Sequence, residues 1–230
     1  MNVRTTIVFS SLALIYLATL PLTPYVAQFL PKALPIVVLA VFAYTKLSAM
    51  PRYMVLTALL FSLAGDVSLA LPFADSFITG LACFFVAHLT YAMCFALLHR
   101  RLQETPGDHI ISRKPKWFIS IIMVSFAVMM AVHILPASKA LFYPVVAYIS
   151  VITLMGLTAV WLAQTKLIVT GALLFVISDA ILAQSVFKTP LPLSTFWVMT
   201  TYYGAQYCLT MGLVDGFLRK ENRQEEIGQT

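Results

Sequence analysis

Two carboxylic acids stand where carboxylic acids are costly. Asp66 and Asp179 each lie well inside an apolar run, 59–70 and 173–183, with no lysine or arginine one helical turn away. A carboxylate at the centre of a bilayer costs about 2.5–3.5 kcal/mol even on insertion scales, and it normally faces a protein interior or a wet cavity. Two kinds of chemistry suit such a pair. One is a proton relay; the other is an acid–base pair, in which one carboxyl stays protonated beside a charged partner. The structural alternative is a pair of neutral acids bonded to Ser or Gln across helices. Two aspartates at matching depth favour chemistry. Asp66 falls 13 residues beyond Tyr53 and Asp179 12 beyond Leu167, hence ~20 Å and ~18 Å from the same membrane face at 1.5 Å per residue.

Polar company is expected at that level from helices running the other way. Phe84, His88 and Tyr91 share a face by i, i+4 and i+3 spacing, with His88 ~16 Å from the start of its segment at Phe77. Tyr202, Tyr203 and Gln206 form a second face. Tyrosines also populate interfacial belts, so the first two have that ordinary role open to them, whereas the Gln206 amide needs a partner. His88, Tyr91, Tyr203 and Gln206 are expected to line one polar cavity with the aspartates. Lys32 opens a segment on the sparsely charged side. Its ammonium either snorkels to the headgroups or meets a lipid phosphate at the mouth of the cavity.

The elements that carry these residues are membrane helices. The chain is 60% hydrophobic and 10% charged, with a mean hydropathy of +0.90, against about 45–50% and 25% for a soluble domain. Eight apolar segments, 6–20, 32–47, 53–71, 77–98, 117–135, 140–163, 167–187 and 194–218, use most of the 230 residues, at about 20 residues for each crossing. The fold expected is therefore an all-α, single-domain polytopic bundle. Prolines at 21, 24, 31, 51, 72, 115, 136, 190 and 192 mark most of the breaks, as a residue disfavoured inside helices should. The run 7–20 behind Arg4 lacks a small-residue cleavage site, which fits a retained first helix better than a signal peptide.

Loop charge gives an orientation. Of the 15 Lys and Arg residues, 12 fall at the termini and alternate loops on one side; Lys32, Lys139 and Lys188 are left on the other. The positive-inside rule puts both termini in the cytoplasm, with a cytoplasmic connector at 99–116 and a polar tail from 219. Because the basic residues are dispersed between apolar segments, the +6 net charge does not point to nucleic acid. Cys83, Cys94 and Cys208 have no CxxC spacing and read as packing thiols. No HExxH, GxSxG or Walker loop occurs. Asp66, His88 and Asp179 would make only a thin metal set, so no metal or other cofactor is expected. The runs 59–70 and 173–183 echo one another weakly; a duplicated half and chance both account for that.

The order of these residues resembles the YhhN-type membrane proteins, the bacterial branch of the lysoplasmalogenase family. The resemblance is carried by Lys32 with Leu34-Pro35; Ser62-Leu63-Ala64-Gly65-Asp66; Gly80, Phe84, Ala87-His88 and Tyr91; Tyr148 and Met155; Gly171-Ala172 with Phe175, Ser178-Asp179 and Leu182-Ala183; and Tyr202-Tyr203 with Ala205-Gln206. It departs at the opening, where Lys32-Ala33-Leu34-Pro35 stands for a Lys-Pro-Leu-like pattern. The resemblance implies an eight-helix enzyme of the bacterial inner membrane. It would hydrolyse the vinyl-ether bond of 1-alkenyl lysophospholipids to a fatty aldehyde and glycerophosphoethanolamine or glycerophosphocholine. Asp66 and Asp179 would be catalytic, with Lys32, His88, Tyr91, Tyr148, Ser178, Tyr202, Tyr203 and Gln206 around the lipid substrate. Enol-ether hydrolysis suits two carboxyls, since an acid must protonate carbon and a carboxylate must steady the resulting cation. Asp179, next to Ser178, is the expected carboxylate. A proton-coupled carrier using the same aspartates and a metal-dependent lipid hydrolase are the competing readings.

Overall fold

The computed structural model describes residues 3–25, 27–103, 113–162 and 165–228. It contains helices and turns, with no strand among the described residues. Eight α-helices follow one another: α1 (Val3–Thr19), α2 (Phe29–Lys46), α3 (Ala49–Ala70), α4 (Ser76–Gln103), α5 (Arg113–Ser138), α6 (Phe142–Leu162), α7 (Lys166–Phe187) and α8 (Ser194–Gly228). Six stretches are long and apolar enough to cross a membrane, one of them Pro115–Leu162, which includes most of α5 and all of α6. α8, with its tyrosines and Gln206, is not one of the six. The chain is an all-α, multi-pass membrane protein.

Helix ends show local chemistry at work. Thr165 caps α7, its hydroxyl accepting from the Ile168 amide at 3.3 Å, as an N-cap should. Pro31, Pro51 and Pro115 sit in the first turns of α2, α3 and α5, where a missing N–H is harmless. Pro136 differs from the expected break: α5 runs through it to Ser138. Nor does α8 stop near Leu218; it continues to Gly228. Residues 104–112 of the expected connector lie outside the described residues.

The core lies among α2, α3, α4, α7 and α8, where Leu39, Val55, Leu59, Phe95, Phe175 and Leu209 are fully buried. The tightest approaches are made by glycine. A Cβ on Gly171 would stand 2.9 Å from the Leu209 amide nitrogen and 3.0 Å from the Ala205 carbonyl oxygen. Only hydrogen at this position allows α7 and α8 to meet backbone to backbone, the small-residue packing typical of membrane helices. α5 is peripheral and exposes Trp117, Phe118, Ile121, Val128 and Val132. In water such a face would be a liability; in a bilayer it is the lipid-facing side.

Candidate active site

The two aspartates sit in two different nests. Asp66 lies near the end of α3, its side chain 4% exposed. Lys32, from the first turn of α2, brings its ammonium to 3.2 Å from Asp66 Oδ1 and also donates to the Asp66 carbonyl at 3.1 Å. From α8, the Tyr202 hydroxyl donates to Asp66 Oδ2 at 2.6 Å. Both carboxylate oxygens are thus engaged, one by a cation, which is how a charge is kept inside a protein. Behind this group the Tyr203 hydroxyl donates to the Lys32 carbonyl at 2.8 Å, fixing α8 against α2.

Asp179, on α7, has a tyrosine and a histidine in place of a lysine. The Tyr148 hydroxyl of α6 donates to Asp179 Oδ2, and His88 Nε2 of α4 lies 3.3 Å from the same oxygen and 3.1 Å from the Tyr148 hydroxyl. His88 is fully buried, and its Nδ1 has no hydrogen-bond partner. A buried N–H left unpaired costs more than a bare lone pair. A proton therefore belongs on Nε2, which donates to Asp179 or Tyr148. Asp179 Oδ1 has no protein partner among the described residues, and the side chain is 13% exposed. It is the accessible carboxyl of the pair.

Both aspartates open on one polar cleft of ≈ 480 Å³, to which Lys32, Ser178 and Tyr202 also contribute. A second, almost wholly apolar space runs on the other side of α4 and α7, against α5 and α6, and Tyr148 lines it. The remaining four residues expected around the cavity stand behind it. Tyr91 donates to Gln206 Oε1 at 2.6 Å, both side chains fully buried. Tyr203 and His88 brace Lys32 and Asp179 as described. Tyr91 and Gln206 face the α4–α8 contact, whereas Tyr203 turns to α2 and His88 to α6 and α7. Two further expectations change. Lys32 neither snorkels nor faces lipid alone, because its side chain is 10% exposed and ion-paired with Asp66. Ser178 does not support Asp179; its hydroxyl donates to the Val198 carbonyl at 3.0 Å.

Gln28, Tyr16 and Phe84 also line the cleft. Gln28 precedes Lys32 by one turn, and that spacing was its available signal. Phe84 depends on the residue before Asp66, since a Cβ on Gly65 would come within 2.6 Å of the Phe84 ring. The Gly-Asp pair therefore couples a charge on α3 to an aromatic wall on α4. Among the described residues no group of three or more His, Cys, Asp or Glu side chains is placed to hold a metal ion.

The sequence model of the YhhN family matches residues 27–213, which hold every residue of both nests. The chain belongs to the YhhN family. Three curated relatives are named lysoplasmalogenases. Human lysoplasmalogenase TMEM86B is 36% identical over 185 residues, 79% of this chain and 73% of that protein. Bovine lysoplasmalogenase TMEM86A is 29% identical over 171 residues, 70% of this chain and 65% of that protein. Pig lysoplasmalogenase TMEM86B is 32% identical over 160 residues, 68% and 61% respectively. No solved structure matches this YhhN-family chain.

Proposed function

We propose that this protein is a lysoplasmalogenase, an ether hydrolase that cleaves the vinyl-ether bond of 1-alkenyl-glycerophosphoethanolamine or -choline. The observation that carries the reading is the pair of intramembrane aspartates on one cleft, one ion-paired and one not, in a chain whose relatives bear that name. The unequal surroundings support a division of labour opposite to the one expected from Ser178. Asp66, ion-paired with Lys32, is the carboxylate. Asp179, held by Tyr148 and His88 without a lysine or arginine, is the acid, and donates from the unpartnered Oδ1. Carboxyls kept in different environments are the usual means of running acid and base together.

The steps then balance. Asp179 gives its proton to the vinyl carbon remote from the ether oxygen, and the double bond's electrons form the new C–H bond. The carbon next to oxygen becomes an oxocarbenium ion, steadied by the Asp66 carboxylate much as glycosidases steady a related cation. Water adds to that carbon and returns a proton to Asp179. The hemiacetal then collapses: its hydroxyl proton passes to the glycerol oxygen, the C–O bond breaks, and fatty aldehyde leaves. One water is consumed, and the Asp179 acid is regenerated.

The test is direct. Detergent-purified protein given a lysoplasmalogen should release aldehyde, and should leave the ester-linked lysophospholipid of the same chain length intact. A folded preparation that releases no aldehyde overturns the proposal. We further place the protein in the bacterial inner membrane with both termini in the cytoplasm, from the 12-to-3 division of Lys and Arg. Reporters fused before Met1 and after Thr230 should both read cytoplasmic; an outside signal from either end rejects that orientation.

A further inference from the structure

Two spaces flank α4 and α7, and they differ in kind. The cleft on the α2–α3–α8 side presents Gln28, Lys32, Asp66, Ser185, Thr195 and Tyr202. The groove on the α5–α6 side is walled by hydrocarbon from Phe126 to Ile134 on α5 and from Val145 to Ile152 on α6, about 12 Å of each helix. Its polar groups other than Asp179 are already used. Thr153 donates to the Ile149 carbonyl at 2.7 Å, and Tyr148 donates to Asp179. Five residues line both spaces: Leu69, Phe77, Phe84, Leu182 and Asp179. Four of them form an apolar partition. Asp179 is the sole polar group shared.

We propose that the groove between α4, α5, α6 and α7 seats the substrate's alkenyl chain, that the polar cleft seats its glycerophospho head, and that Asp179 meets the vinyl ether where the two join. This rests on the lysoplasmalogenase reading and adds an orientation to it. In a lysoplasmalogen the scissile group is the point at which hydrocarbon ends and polar structure begins. A site with one wet and one dry chamber positions that point by solvation alone: polar head atoms in the groove would lose their hydrogen bonds, and chain methylenes in the cleft would stay wet. Ala127 on α5 and Ala183 on α7 stand on the groove wall without lining the cleft, so they set its bore and hence the chain it accepts.

Two assays test this apart from the activity itself. In the first, Ala183→Leu and, from a different helix, Ala127→Leu are compared with wild type on hexadecenyl and octenyl lysoplasmalogens. The ratio of kcat/KM for the long chain over the short should fall at least about tenfold in each, the scale on which a pocket discriminates methylenes. Variants that melt like wild type and lose both substrates equally, or keep the wild-type ratio, overturn the proposal. In the second, saturated alkyl-ether analogues of both lengths, which cannot turn over, are titrated onto the same three proteins. The variants should selectively weaken the long-chain analogue, even if wild type proves unable to cleave any vinyl ether. That pattern would retain the groove while rejecting the reaction; equal binding of both lengths by all three proteins would reject the groove while leaving the reaction standing.

Discussion

The Asp66 nest and the Asp179 nest solve the same problem in opposite ways. Both place a carboxyl among apolar helices, and both give it a tyrosine donor. One adds a lysine and engages both oxygens; the other adds a histidine and leaves Oδ1 to the cleft. A lysine beside a buried carboxyl favours the charged form of that carboxyl, because removing either partner would strand the other as a buried charge. Two identical side chains thus come to sit in unequal surroundings through their neighbours.

The largest effect should fall on turnover. Asn is nearly isosteric with Asp but can neither donate a carboxylic proton nor carry charge. Asp66→Asn and Asp179→Asn should each lower the rate of aldehyde release by at least about 100-fold, the lower range for general acid–base catalysis. The wild-type pH–rate profile should be bell-shaped and belong to the pair as a unit. Turnover in D₂O should be slowed wherever aldehyde release is not limiting. Near-wild-type hydrolysis by either folded Asn variant would end the two-carboxylate mechanism.

Stability should separate the nests next. Asp66→Asn leaves Lys32 buried without its counter-charge and should cost about 3 kcal/mol, whereas replacing both partners, as Lys32→Met with Asp66→Asn, should recover much of that loss. Asp179→Asn keeps a neutral acceptor for Tyr148 and His88 and should cost under about 1 kcal/mol. Unfolding in a fixed detergent and lipid mixture reads all three. Equal losses for the two single variants would erase the distinction.

Removing one hydroxyl from each nest sharpens it. Tyr148→Phe and Tyr202→Phe each delete a hydrogen bond to a carboxyl, about 1.5 kcal/mol or tenfold in kcat/KM. Wild-type kcat/KM in either Phe variant would show that its hydroxyl does not serve the carboxyl it touches. The smallest effect concerns the partition. Gly65→Ala would drive Phe84 aside from a 2.6 Å contact and should cost about 1 kcal/mol of stability, as overpacking does. Phe84→Leu should relieve it in the double variant, and an unchanged melting temperature in Gly65→Ala would show that the ring gives way freely.

What the sequence determined by itself is the inventory and its depth. Apolar runs of membrane length placed the helices, and the 3.6-residue period placed Asp66, Asp179, His88 and Tyr202 at their levels along them. Both nests are built from those residues, from Lys32, and from Tyr148, which only its resemblance to a family had marked in an otherwise apolar α6. Only the tertiary structure decided who meets whom. Lys32 and Asp66 lie 34 residues apart in sequence, and whether the ammonium reaches inward or snorkels outward depends on how α2 is rotated against α3. Ser178 is next to Asp179 in sequence yet turns to Val198, because successive residues on a helix point about 100° apart. Helical periodicity fixes height and relative angle within one helix. The angle of each helix to its neighbours comes from packing, through contacts such as Gly171 against Leu209 and Gly65 against Phe84, and that angle turned two equivalent aspartates into unlike groups.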